Sequence, residues 1–229
     1  MSETDSFIEE VTEEVRKDQL FGYYKKYGWI AGVVIALIVG GAAYFEWSKN
    51  QAQTAAQLRG DAIVAALTEV EVVKQVAALD NISADAGGAL ALIRLQKAAV
   101  LATDGQNAAA LETLNILADD TAAPQVYRDM ARFKALILGG KDMNQGMRMT
   151  GLELLATPGN GFRPMALEQI AVTKLDAGDV EGAIAQLSQL LSEPEISREM
   201  RQRAIQLLVS LGGQIPTTSQ LLLGNETAQ

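Results

Sequence analysis

Residues 28–45 form an unbroken stretch without a charged side chain, GWIAGVVIALIVGGAAYF. As an α-helix rising about 1.5 Å per residue, this stretch would be roughly 27 Å long, close to the ~30 Å hydrocarbon core of a bilayer. Its eight strongly apolar residues would together favour insertion by roughly 2.4–4.8 kcal/mol, at about 0.3–0.6 kcal/mol each. The stretch therefore predicts one transmembrane helix.

Aromatic residues flank this span, as amphipathic rings do at the depth of the lipid headgroups. Tyr27 and Trp29 lie at its start, and Tyr44 and Trp47 at its end. The alternatives are a signal peptide cleaved near residues 41–43 and a buried helix of a soluble core. However, seven acidic residues lie in the 27 positions before the span, whereas a secretory n-region is short and basic. We therefore interpret the span as a retained anchor.

The basic residues near the span predict its orientation, because cytoplasmic flanks carry the excess of lysine and arginine. Four lie within twenty residues on the N-terminal side and two on the other: Arg16, Lys17, Lys25 and Lys26 against Lys49 and Arg59. We expect a cytoplasmic N-terminus and a C-terminal domain across the membrane. In a bacterium, this is a single-pass inner-membrane protein with a periplasmic domain.

The composition narrows the class of protein. Hydrophobic residues make up 48% of the chain and aromatic residues only 5%, a balance that suits closely packed helices rich in alanine and leucine. A net charge of −9 argues against nucleic-acid binding, which needs a basic surface. The absence of cysteine and histidine excludes disulfides, Cys or His metal ligands and Ser-His-Asp or Cys-His catalysis. We predict no enzyme activity, catalytic residue, metal or cofactor.

An internal repeat follows residue 88. Segments 89–120 and 163–194 align when Gly105 is placed on Gly178, an offset of 73 residues. The matched pairs include Ala98 and Ala171, Ala110 and Ala183, Leu114 and Leu187, and Leu117 and Leu190. Half of this offset is near the ~34-residue period of a tetratricopeptide helix pair. A single pair cannot cover its own apolar face, so the units should stack.

A middle unit should turn at residues 139–142, where the sequence is GGKD. Its second helix, predicted at 145–156, is rich in methionine and glycine and fits the repeat poorly. Either this unit has diverged from the repeat pattern, or the loop TPGNGFRP that follows it has a different structure from the loops of the other units.

These patterns predict an all-α chain in five parts. They are a cytoplasmic acidic tail at 1–27, a transmembrane helix at 28–45, an extended connecting helix at 46–80, a helical domain at 81–213 and a C-terminal tail at 214–229.

The segment GDVEGAIAQLSQLLSEP, residues 178–194, resembles the second half of a tetratricopeptide repeat. It has the Gly-Asp turn, the Glu-x-Ala-Ile pattern, the leucines and the final proline, and Ala171 supplies the small residue of the preceding helix. The resemblance is fair for residues 89–120 and weak for 140–160. It implies a tetratricopeptide-like α-solenoid of antiparallel helix pairs.

The order of the parts is also similar to a bacterial inner-membrane family described as the ancillary subunit of the Sec translocon. The features that carry this resemblance are KKYGWIAGVVIALIVGGAAYFEWSKNQ at residues 25–51, the alanine-rich helix after it and the repeats. The resemblance implies translocon subunits, periplasmic chaperones or emerging polypeptides as partners. It brings no catalytic residue.

Two sets of residues are candidate interfaces. Gly28, Gly32, Ala36 and Gly40 form a strip at every fourth position of the span. Small residues let transmembrane helices approach closely, so the strip could contact a partner helix or a second copy, although glycine and alanine are common in spans in any case.

The second set is four basic residues of the helical domain: Arg94, Lys97, Arg128 and Arg132. They could line a peptide groove and bind an acidic peptide; the alternative is a solvated helix face.

The expected function is a membrane-anchored, protein-binding scaffold, in the translocon context that the resemblance implies. Three alternatives stay open at this point. They are an envelope-assembly or cell-division scaffold of the same architecture, a regulator that acts through the cytoplasmic acidic tail, and a cleaved soluble periplasmic adaptor.

Overall fold

The computed structural model describes residues 3–84, 87–194 and 196–216, and the side chains of 3–28 and 31 are outside that description. The described part contains nine α-helices, one short 3₁₀ helix and no strand. The predicted all-α class is thus confirmed. Most of the predicted C-terminal tail, residues 217–229, lies outside the described residues.

The helices follow one another with short connections. Their bounds are α1 Glu3–Thr68, α2 Val72–Asp80, α3 Gly88–Thr103, α4 Asn107–Asp119, α5 Gln125–Gly139, the 3₁₀ helix Gly140–Asp142, α6 Gln145–Leu155, α7 Arg163–Asp176, α8 Val180–Leu191 and α9 Arg198–Ser210. The chain divides into two compact units, Met1–Gly60 and Asp61–Gln229.

The first unit is part of the long helix α1 and carries the apolar span. Within the described residues, one helix, in Gly32–Thr68, is long and apolar enough to cross a membrane. None of its apolar window is buried by the rest of the chain, and Leu37 is 70% exposed and Ile38 65% exposed. A buried core helix would be covered by neighbouring residues, and no described residue covers this segment. Large exposed apolar surfaces of this kind mark a membrane or protein contact.

The predicted connecting helix at 46–80 is divided in the structure. Helix α1 ends at Thr68 and α2 begins at Val72. The Gln75 side chain stabilises the break, because its amide donates to the carbonyl oxygens of Leu67 (3.3 Å) and Glu69 (2.7 Å). These carbonyls belong to a helix end, where no intrahelical donor is present. Beyond the break, Leu79 packs with Ala66 and Ile93 in one core cluster.

The two aligned repeats make the same turn. Gly105 and Gly178 both have positive φ, +79° and +80°, a conformation that glycine adopts without steric cost. After each glycine, the next backbone N–H donates to the carbonyl five residues before it, Gln106 to Leu101 and Asp179 to Lys174, both at 2.9 Å. This pattern closes a helix end. The Asp179 side chain then accepts from Gly182 N (2.8 Å) and caps α8.

Three core clusters run through the helices that follow α2. The first joins α3, α4 and α5 around Leu114, Leu117 and Ala131. The second joins α7, α8 and α9 around Leu187, Leu190 and Leu208, and the third joins α5, α6 and α7 around Leu136, Leu152, Leu155 and Ile170. Alanines such as Ala110, Ala171 and Ala183 are fully buried, which lets neighbouring helices approach closely.

The middle unit contains the second helix that its sequence predicted only weakly. Helix α6 spans Gln145–Leu155, close to the predicted 145–156. Gly151 has a packing reason, because a Cβ built on it would lie 2.7 Å from Leu136 Cδ2. The residue that weakened the pattern match is thus the one that lets α6 pack against α5.

Candidate protein-binding groove

An apolar groove of about 650 Å³ runs across α3, α5 and the start of α7. Ala98 and Ala102 form part of its α3 side, Phe133 and Ile137 its α5 side, and Met165 its α7 side. Lys134 is the one charged residue among those that line this groove. All of these residues belong to the unit Asp61–Gln229.

Helix α5 supplies two apolar faces. Ala131, Ala135 and Leu136 are buried in the core. Met130, Phe133 and Ile137 recur at helical spacing on another side, where they line the groove, and Ile137 is 42% exposed. A surface helix typically has one apolar stripe. Met130 and Phe133 are half-buried and also pack against the core clusters, so Ile137 is the member of this second stripe that is most open to a further contact.

The loop between α6 and α7 closes one side of the groove with Phe162. The Asn160 side chain accepts from Phe162 N (2.8 Å) and donates to the buried Asp129 carboxylate on α5 (3.1 Å). The Phe162 ring then lies 5.9 Å from that of Phe133, centroid to centroid, within the range of favourable aromatic pairs. Next to it, Arg163 binds Glu193 through Nη2 (2.8 Å) and donates to the carbonyl of Ala156. The TPGNGFRP loop is thus an ordered wall of the groove.

Two of the predicted groove cations lie at a different cavity. Arg94 and Lys97 line a cavity of about 290 Å³ beside α2, α3 and α4. Arg94 Nη1 binds Asp120 Oδ2 at 2.5 Å, and Lys97 Nζ binds Asp80 Oδ1 at 2.7 Å. Both charges are therefore compensated within the chain.

The other two predicted cations extend along α5. Arg132 donates to Asp129 (3.4 Å) and to the carbonyl of Ala118 (3.3 Å), which ties α5 to α4. Arg128 donates from Nη2 to Gln125, and its buried Nε has no partner in the described structure. The structure does not bring the four cations together in the apolar groove, and their binding of an acidic peptide stays a prediction.

The Arg94–Asp120 pair predicts a pH dependence of stability. Arg94 and, secondarily, Ala122 N–H hold the pKa of Asp120 below its ordinary value of 3.8. A carboxylate with a lowered folded-state pKa stabilises the fold above its unfolded-state pKa, and this contribution is lost as the pH falls through the folded-state pKa. We expect Asp120→Asn to lower the urea midpoint at pH 7 and the difference from the parent protein to shrink below pH 4.

The matched control is Asp119→Asn, which removes the same charge from an exposed neighbouring position. It should change the urea midpoint little at either pH. A constant Asp120→Asn difference from pH 7 to pH 3 would contradict the role assigned to the pair.

The small-residue strip on α1 is open along its described part. Gly32, Ala36 and Gly40 are exposed, and a Cβ built on Gly32 or Gly40 would meet no atom within 4 Å. Gly28 lies in the portion of α1 whose side chains are outside the description. The strip is accessible, and its contact with another helix stays a prediction.

The described residues contain no group of three or more His, Cys, Asp or Glu placed to hold a metal ion. The apolar groove is defined by its shape and its aliphatic and aromatic lining. Comparison with protein-family models, with curated proteins and with solved structures finds no match to this chain.

Proposed function

We propose that this protein is a membrane-anchored scaffold that holds other proteins in the apolar groove of its helical domain. The groove itself carries the proposal, because its walls are aliphatic and aromatic over a volume of about 650 Å³. Ligand sites are typically concave and mostly apolar, with volumes of about 300–1,000 Å³.

The chemistry of the groove favours an apolar polypeptide segment as the ligand. Met130 and Met165 line it, and methionine adapts its shape to different apolar partners. Phe133 and Phe162 add rigid aromatic surface of the kind that anchors protein contacts. Lys134 favours an acidic residue at the margin of the bound segment. A polypeptide that has not yet folded exposes segments of this kind.

The membrane setting supports a partner in or near the membrane. The exposed apolar window in α1 supports a single retained span, and the basic residues before it favour a cytoplasmic N-terminus. The shared Gly105 and Gly178 turns support a tetratricopeptide-like α-solenoid of antiparallel helix pairs. In a bacterium, these parts in this order resemble the ancillary translocon family. We therefore infer translocon subunits, periplasmic chaperones or emerging polypeptides as the partners.

In-cell photocrosslinking from Met165, in full-length protein, tests this function. A photoreactive residue there should yield adducts whose mass spectra identify translocon subunits, chaperones or exported polypeptides. Ile137→Glu puts a charge on the groove wall and should lower the adduct yield about tenfold or more, as for the loss of an interface hot spot.

Val126→Glu is the matched control, because Val126 is 54% exposed on the same helix and does not line the groove. It should leave the yield unchanged. If the only adducts were with division or envelope-assembly proteins, we would conclude that the protein is a scaffold of that class. Equal yields from both variants would exclude the groove as the binding site. If deletion of residues 2–20 abolished all adducts, the acidic tail would be the segment that recruits the partners.

A further inference from the structure

A small polar cavity of about 220 Å³ lies where α7 ends and α6 begins. Lys141, Gln145, Arg148, Thr173 and Asp176 contribute to its lining. Its volume is below the ~300 Å³ of the smallest usual drug-sized sites. It therefore suits a small molecule or the end group of a larger one.

Arg148 is a buried cation with incomplete hydrogen bonding. Its side chain is 9% exposed, and its buried Nε has no hydrogen-bond partner among the described residues. Nη2 lies 3.4 Å from the neutral Gln169 Oε1, and Nη1 lies 3.9 Å from Asp176 Oδ2. A buried charge is costly unless it is paired closely and its donors are satisfied.

Two other arginines of this domain form close ion pairs with a carboxylate. Arg203 binds the Glu168 carboxylate through Nε and Nη2, both at 3.0 Å, and Glu168 raises the pKa of Arg203 above its ordinary value. Arg163 binds Glu193 through the same two nitrogens at 3.0 and 2.8 Å. Both arginines are more exposed than Arg148. The most buried of the three thus has the weakest anionic partner.

Asp176 does not complete the pair, because it is shared with a second cation. Lys141 Nζ lies 3.1 Å from Asp176 Oδ1, and the Lys141 side chain is 80% exposed. Two cations and one carboxylate leave one positive charge at this cavity. The N-terminus of α6, which Gln145 brings to the cavity lining, adds partial positive charge, and the C-terminus of α7 at Asp176 adds a partial negative charge of similar size. The net charge of the site therefore comes from the three charged side chains.

We propose that this cavity binds a carboxylate, which contacts the exposed Lys141 ammonium and the Arg148 guanidinium beside Asp176. One negative charge would neutralise the site. A phosphate dianion would exceed the single net positive charge of the site. The carboxylate could belong to a small organic acid or to the C-terminus of a polypeptide. The site shares no lining residue with the apolar groove, so it stands or falls independently of the proposed function.

The test is a titration of the full-length chain in detergent micelles with ¹⁵N-labelled arginine, followed at the Nε–H resonance of Arg148. The probes are acetate, N-acetylglycine, N-acetylglycinamide and inorganic phosphate. Acetate and N-acetylglycine should shift the resonance saturably, whereas the amide should not. Tighter binding of N-acetylglycine than of acetate would assign the site to a polypeptide C-terminus, and equal binding would assign it to free small acids.

Lys141→Gln should weaken acetate binding about tenfold, the loss of one charge-assisted hydrogen bond. The exposed position of Lys141 makes this variant safe for folding, whereas Arg148→Met could also destabilise the fold and serves only as a second variant. Lys74→Gln, at an exposed lysine that pairs with Glu71, is the control and should bind as the parent does. The absence of a saturable shift, equal binding of the amide, or tighter binding of phosphate would overturn the proposal.

Discussion

Simultaneous replacement of Val34 and Ile38 by arginine is expected to release the full-length chain from the membrane. Two central arginines cost about 5–7 kcal/mol on an insertion scale, and the six strongly apolar residues that remain in the span would supply only roughly 1.8–3.6 kcal/mol. Val34 and Ile38 are 48% and 65% exposed, and no described residue buries this part of the helix, so nothing described would shelter the new charges. The measurement is the fraction of protein that stays in the pellet after alkaline carbonate washing.

The control replaces the same two residues by leucine, which preserves the apolar character. That variant should stay in the pellet together with the parent protein. If the double-arginine variant also stayed there, the membrane association would come from another part of the molecule. An intact mass of the parent separates a retained anchor from a cleaved signal peptide, because cleavage near residues 41–43 would remove the N-terminal tail and most of the span.

The second large effect is expected in the core of the middle unit. Leu152 is fully buried between α5 and α7, in a cluster with Leu136, Leu155, Ala166 and Ile170. Leu152→Ala should lower the free energy of unfolding by about 2–5 kcal/mol, because it removes buried apolar contacts and leaves a cavity. Urea unfolding monitored by far-UV circular dichroism measures this change. Tryptophan fluorescence is less suitable, because both tryptophans, Trp29 and Trp47, lie in α1.

The same substitution two residues along α6 provides the control. Leu154 is 53% exposed, so Leu154→Ala should change the free energy of unfolding by about 0.5 kcal/mol or less. Equal effects of the two variants would mean that α6 does not pack with the face that the structure shows. This result would mean that the middle unit is not packed as part of the folded domain.

Local sequence signals predicted the two repeat turns and the position of α6. The Gly105 and Gly178 turns could be aligned because each needs a residue that accepts positive φ, and glycine marks such positions. The leucine and alanine spacing of 107–119 and 180–191 is likewise a local pattern, and α4 and α8 lie there. These features need only neighbouring residues to be recognised.

The features that sequence reasoning missed depend on contacts between distant residues. The break after Thr68 is stabilised by Gln75, a side chain from the next helix. Arg94 is held by Asp120, which is 26 positions away, so a cation that looked free in the sequence is paired in the fold. The groove could have been suspected from α5, where Met130, Phe133 and Ile137 form a second apolar stripe beside the buried alanines.

In the proposed topology, one span holds the chain in the membrane, and the helical domain lies on the far side from the cytoplasm. The chain contains no cysteine, so single cysteines can report the side directly with a membrane-impermeant maleimide. Asn115→Cys, at an exposed position of α4, should be labelled in intact spheroplasts. Ser6→Cys should be labelled only after lysis. Labelling of Ser6→Cys in intact spheroplasts, with Asn115→Cys protected until lysis, would contradict the account.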